Sequence, residues 1–177
     1  MTSAPPIETP AQYLDKMHRL LGDRDSLAVL SATPGLLADI VGSHTVAQLK
    51  ARPFEGKWTP NEILGHLVDI EWVFAFRLRR VLCDRDPAIE GFDQSRWVAR
   101  QAHNDTEPAA HLEAFTLLRP HNVNLWQRVT PDDLKRTYQH QERGTESIAT
   151  MRVLHAGHDL AHLDQITCYL DAVFSSA

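Results

Sequence analysis

Residues 148–173 put nine side chains on one side of a helix, and their identities constrain this chain more than any other feature. At 100° per residue, Ile148, Met151, His155, His158, His162, Gln165, Ile166, Tyr169 and Val173 fall in a single stripe. Its two ends are apolar and its middle carries three imidazoles. A face that is apolar, turns polar for two turns and becomes apolar again belongs against a core with a chemical site embedded in it. Buried imidazoles without partners would be costly.

The rest of the chain repeats the helical period. Residues 14–30 carry Leu14, Met17, Leu20, Leu21, Leu27 and Leu30, which predicts one helix kinked near Gly22. Thr33-Pro34 then restarts a helix as cap and first residue, and Gly42 ends it. Residues 44–57 read as a connection broken by Pro53 and Gly56. Thr59-Pro60-Asn61-Glu62 is a capping box, opening a long helix to about Cys83 with His66, Ile63, Ile70 and Val73 facing inward. Residues 86–93 read as a lid-like loop and residues 94–102 as a short helix. A third long helix is expected over 107–129, with core candidates Leu112, Phe115, Leu118, Val123 and Trp126 and a kink at Pro120. Thr130-Pro131-Asp132-Asp133 starts a helical turn, residues 136–146 form a polar crossing, and the last helix opens at Ser147. No strand with sustained alternation is visible. The expectation is one all-α domain over residues 1–177, with a loose Pro-rich segment at 1–9.

Length and charge exclude some functions. The 177 residues suffice for one domain with a real core. A net charge of −5 argues against nucleic acid as a partner, because phosphate binding needs a basic surface. The run Arg77-Leu78-Arg79-Arg80 reads as a solvated face. No apolar run approaches a membrane span, and the N-terminus lacks a secretory pattern. Cys83 and Cys168 form no CxxC pair and read as small core residues. These features fit a cytoplasmic protein.

His158 and His162, four residues apart, share a helix face; His66, on a separate helix, can complete a facial set around a divalent cation. Three protein ligands leave a coordination position for water or substrate. Two core histidines satisfied by hydrogen bonds would explain the pair alone, and the third histidine favours the metal. His158-Asp159-Leu160-Ala161-His162 departs from HExxH at Asp159, so a zinc protease is not indicated. Asp69 and Asp159 are candidates for orienting ligand imidazoles, and Gln165 for holding a metal-coordinated water. His155 and His140 are candidate acid–base groups, and Arg77 and Arg143 candidate anchors for an anionic substrate group. Trp58, Trp72 and Trp97 read as core or interface anchors. Imidazoles accept zinc, nickel, iron or manganese as well as copper, so the metal stays open.

The order Trp58-Thr59-Pro60, Glu62-Ile63-Leu64-Gly65-His66-Leu67-Val68-Asp69 and Glu71, then Gly91-Phe92-Asp93-Gln94, Trp97, Arg143-Gly144 and His158-Asp159-Leu160-Ala161-His162-Leu163-Asp164-Gln165-Ile166, resembles the DinB-like (YfiT-like) metalloenzymes. The resemblance implies a four-helix bundle with a long crossover. It also implies a zinc or nickel ion on the residues matching His66, His158 and His162, and in many members a homodimer. Some members transfer groups to a low-molecular-weight thiol. The expected function is thus a small-molecule, thiol S-transferase-like enzyme, with a metal-dependent hydrolase or a non-catalytic metal- or ligand-binding stress-response protein as alternatives.

Overall fold

The computed structural model describes residues 9–174, so most of the expected loose N-terminal segment lies outside the described residues. Thr9 is ordered by its role: its side chain and that of Gln12 form a capping box that starts α1 (Pro10–Leu21). Gly22, at φ 56°, stops α1, and Asp25 caps a new helix, α2 (Ser26–Ser43). The expected single kinked helix is therefore two, because Gly22 takes a left-handed conformation that helix propagation does not allow.

α3 (Val46–Lys50) interrupts the expected connection, again behind a capping box, Thr45 with Gln48. α4 (Pro60–Cys83) begins where the sequence places it, with the Thr59 side chain accepting from the Glu62 N–H. β1 (Ala88–Ile89) and α5 (Gln94–Arg100) follow, then α6 (Pro108–Trp126). After a 3₁₀ turn come β2 (Thr137–His140), β3 (Gly144–Ser147) and α7 (Ile148–Phe174). The 136–146 segment is thus an antiparallel hairpin, not an irregular crossing, and β1 adds to β2 in parallel. Gly144 turns the hairpin at φ 76°. Tyr138 and His140 point inward, and the Tyr138 hydroxyl donates to Glu146 at 2.7 Å.

Four long helices close a ring: α2 packs on α6, α6 on α4, α4 on α7 and α7 on α2, while α1 lies along α7. Their interior divides into two apolar clusters. One holds Leu30, Ile70, Phe74, Leu78, Trp126, Ile148 and Met151, the other Leu37, Ile63, Leu67, Phe115, Ile166 and Leu170. Between them every helix of the ring contributes polar groups at the same level: Thr33 from α2, His66 and Glu71 from α4, Arg119 and Asn122 from α6, and His155, His158 and Asp159 from α7, all buried.

Pro34 lies inside α2 and does not start it. A mid-helix proline leaves the carbonyl four residues back without its N–H. That carbonyl, Leu30 O, instead accepts from Arg119 Nη1 at 2.9 Å, while the Thr33 hydroxyl bonds Val29 O and Asp159. α2 is also long and apolar enough to pass for a membrane span by composition, at 18 residues and mean hydropathy 1.4, contrary to the sequence reading. Here it is a ring helix. Cys83 and Cys168 are exposed, the first closing α4 and the second on the outer face of α7, so neither serves the core.

Candidate metal centre

His66, His158 and His162 converge as the sequence predicts. His158 Nε2 lies 3.1 Å from His66 Nε2 and 3.1 Å from His162 Nε2. Two nitrogens bound to one zinc-like ion at about 2.0–2.1 Å are separated by roughly 2.9–3.4 Å for angles of 90–110°. Among the described residues no carboxylate or thiol joins the cluster.

The proton count favours a cation. Gln165 Oε1 accepts from His162 Nδ1 at 2.8 Å, which leaves His162 Nε2 with a free lone pair. A proton on His158 Nε2 could serve only one of its two neighbours. The His66 and His158 Nδ1 atoms are buried without hydrogen-bond partners. All three rings are held neutral: burial, followed by the charges of His162 and His103, pushes His66 down to about 2. Burial and the neighbouring histidines put His158 well below its ordinary value, and burial takes His162 to about 4 despite the opposing Gln165 hydrogen bond. Neutral imidazoles aiming lone pairs at one point are a donor set for a divalent transition metal.

The surroundings position these rings. Trp58 packs against His66 at 4.9 Å between ring centres. Gln165 Nε2 donates to the Tyr169 hydroxyl, so Gln165 orients His162 in place of the role expected for it at a coordinated water. A cavity of about 500 Å³ opens beside His158 and His162, bordered by Tyr13, Lys16, Gln94 and Gln165.

The other candidates serve elsewhere. Asp69 accepts from His103 Nε2 at 2.8 Å and from Gln101, not from a ligand imidazole. Asp159 is held bidentate by Arg119 and by the Thr33 hydroxyl. His155 Nε2 donates to Glu71 at 2.8 Å and its ring stacks on Phe74, which removes it from any acid–base role in the cavity. His140 is buried in the hairpin, where burial and then Arg143 and Arg77 lower it to about 4. Arg143 pairs with Glu146, and Arg77 is buried in place of forming part of a solvated face. Trp72 and Trp97 are exposed, and the core tryptophan is Trp126.

Two groups went unread in the sequence. Arg119 binds both Asp159 and Glu71, the latter at 2.8 Å, and its core position was legible from its spacing of four residues from Phe115 on the inward face. Burial pushes the Glu71 carboxyl up, but His155 and Arg119 outweigh it and hold it at about 2. The His103–Asp69 clamp had no sequence signal, because a loop brings His103 to α4.

A family model for the DinB superfamily matches residues 30–166. The chain is 28% identical over 134 residues to "Putative metal-dependent hydrolase OB0782" of Oceanobacillus iheyensis, spanning 76% of this chain and 77% of the relative. It is 25% identical over 147 residues to "Putative metal-dependent hydrolase YfiT" of Bacillus subtilis, spanning 80% and 82%. The solved structure of Bacillus subtilis YfiT, described as a probable metal-dependent hydrolase with an unusual four-helix bundle topology, superposes with a TM-score of 0.74 at 20% identity, covering 96% of this chain and 90% of YfiT. That likeness shows the fold, and the family match over most of the chain shows that this protein belongs to the DinB superfamily.

Proposed function

We propose that this protein is a metal-dependent enzyme that hydrolyses a small molecule, with His66, His158 and His162 holding one divalent ion, zinc or nickel. The observation that carries the proposal is the convergence of three neutral imidazoles, with His158 Nε2 lying 3.1 Å from the Nε2 of both His66 and His162, beside a cavity of about 500 Å³. When bound, such an ion polarises a coordinated substrate atom and lowers the pKa of a coordinated water or thiol. Gln165 fixes the His162 tautomer, Trp58 and the apolar clusters keep bulk water from the inner faces of the rings, and Lys16 and Gln94 border the space for a substrate. The names of the relatives favour water as the nucleophile. The thiol S-transferase reading uses the same ligands and is separated from it by one assay. The homodimer expected from the resemblance and the cytoplasmic location expected from the composition remain part of the proposal, and light scattering tests the former.

Elemental analysis of the untagged protein beside a His158→Ala/His162→Ala variant is the test. About one equivalent of metal in the parent and none in the variant supports the site. Hydrolysis of activated esters or amides without added thiol then supports the hydrolase, and turnover only with a thiol such as cysteine supports the transferase. Equal metal content in both proteins refutes the ligand assignment.

A further inference from the structure

A second cavity, of about 360 Å³, lies between α4, β1 and α5. Gln94, at the start of α5, borders the His158/His162 cavity, whereas Trp97, one turn on, borders this one, so α5 separates the two. The volume is within the range of small-molecule sites. Phe76, Phe92 and Trp97 form its aromatic walls. Phe92 and Trp97 stand 4.6 Å apart at 50°, while Phe76 is 60% and Trp97 39% exposed.

Arg77 lines this cavity and is 9% exposed. Its Nη2 donates to Glu90 O at 2.8 Å and its guanidinium lies 5.8 Å from the Phe92 ring centre. It has no carboxylate within ion-pair distance among the described residues. Three other buried or half-buried arginines are matched, Arg119 by Asp159 and Glu71, Arg143 by Glu146, and Arg80, on the rim, by Asp84, whereas half-buried Arg152, remote from this lining, has no ion pair among the described residues either. Glu146 is already engaged by Arg143 and Tyr138. Burial, with Arg143 adding to it, disfavours the Arg77 charge, and Tyr138, Glu146 and Glu142 offset part of that. The remaining Arg77 N–H groups have no protein partner among the described residues and are not sealed from solvent, so they are open to a ligand in the cavity, and a carboxylate matches the guanidinium fork with two parallel hydrogen bonds.

We infer that this cavity binds a small aromatic carboxylate, its carboxylate on Arg77 and its ring against Phe92, Trp97 and Phe76. The single acidic side chain on the lining, Glu90, turns its carbonyl to Arg77 and is exposed. The inference does not rest on the metal centre.

Titration of the intact protein with benzoate, followed by calorimetry and tryptophan fluorescence, tests it. Saturable binding is expected, with a fluorescence change lost in Trp97→Leu. Arg77→Met weakens binding by at least about tenfold, because a charge-assisted pair is removed. Arg77→Lys falls between, since it keeps the charge without the fork. Benzamide, the neutral isostere, does not compete. His158→Ala binds benzoate like the parent, which separates this site from carboxylate bound at a metal. No saturable binding at millimolar benzoate overturns the inference, as does equal binding by a folded Arg77→Met protein. Should that variant not fold, Arg77→Lys binding like the parent together with competition by benzamide overturns it. Tighter binding of phenyl phosphate than of benzoate overturns the carboxylate assignment.

Discussion

Replacing Arg119 with methionine isolates the polar layer that sits between the two apolar clusters. Arg119 is 1% exposed and bridges Asp159, Glu71 and Leu30 O. Methionine approximates its stem but leaves two carboxylates facing each other in the core and the Leu30 carbonyl without a donor. Removing one partner of a buried ion pair costs about 3–5 kcal/mol. For a chain of this length each kcal/mol moves Tm by roughly 2–4 °C, so a fall of about 10 °C is expected. Calorimetry with chelator present keeps metal binding out of the comparison. The pH dependence has a definite sign. Glu71 is depressed to about 2 from an ordinary 4.5, so its ionised form stabilises the native protein above about 4.5, and that contribution is lost as pH falls toward 2. Without Arg119, burial is opposed only by His155 and the Asn122 amide that donates to Glu71 Oε2 at 2.9 Å, the Glu71 pKa rises, and protonation relieves the unpaired charge. The gap between variant and parent therefore narrows from pH 7 to pH 4, and Asp159→Asn in the Arg119→Met background recovers part of the loss. A fall of less than about 2 °C, or a gap that widens on acidification, refutes the reasoning.

Two further perturbations follow from the packing. Gly157→Ala places a methyl group 2.8–3.0 Å from the Cβ, oxygen and Cα of Met17, so α1 must move off α7; calorimetry should show a loss of about 1–3 kcal/mol. Gln165→Leu removes the acceptor that fixes the His162 tautomer; competition with a chromophoric chelator should show metal affinity reduced about 10–100-fold, with the Tm of the metal-free protein little changed and Gln165→Glu retaining affinity.

What the sequence made legible was local. The Thr59/Glu62 capping box located α4 with His66 on its inward face, and a 100° period on the last helix located His158 and His162, because both signals are complete within a few turns. The same box pattern at Thr9/Gln12 and Thr45/Gln48 was open to the same reading and marks α1 and α3. The hairpin escaped because its strands are four residues each and their inward positions hold Tyr138 and His140, whose burial depends on partners such as Glu146. Pro34 looked like a helix start because the donor that repairs its helix, Arg119, lies 89 residues away. Asp159 looked like a partner of imidazole for the same reason: the arginine that takes it belongs to another helix.

The convergence of the ligands depends on how closely two elements outside the α4–α7 contact can approach. A glycine immediately precedes two of the three histidines, and both glycines face such an element. The His103 ring sits where a Cβ on Gly65 would stand, 2.4 Å from its Cγ, and Asp69, one turn along α4, holds that ring by its Nε2–H. On the opposite side the backbone of α1 at Met17 occupies the corresponding place over Gly157. These contacts seat the crossover loop and α1 directly on the turns that bear His66 and His158, so neither helix can slide along its axis without a clash. The Arg119 network fixes α7 from within at Asp159, between His158 and His162 in sequence. A site whose donors must agree to within a few tenths of an ångström is thereby held at three adjacent points, and the ligand rings themselves need supply no cohesion to the bundle.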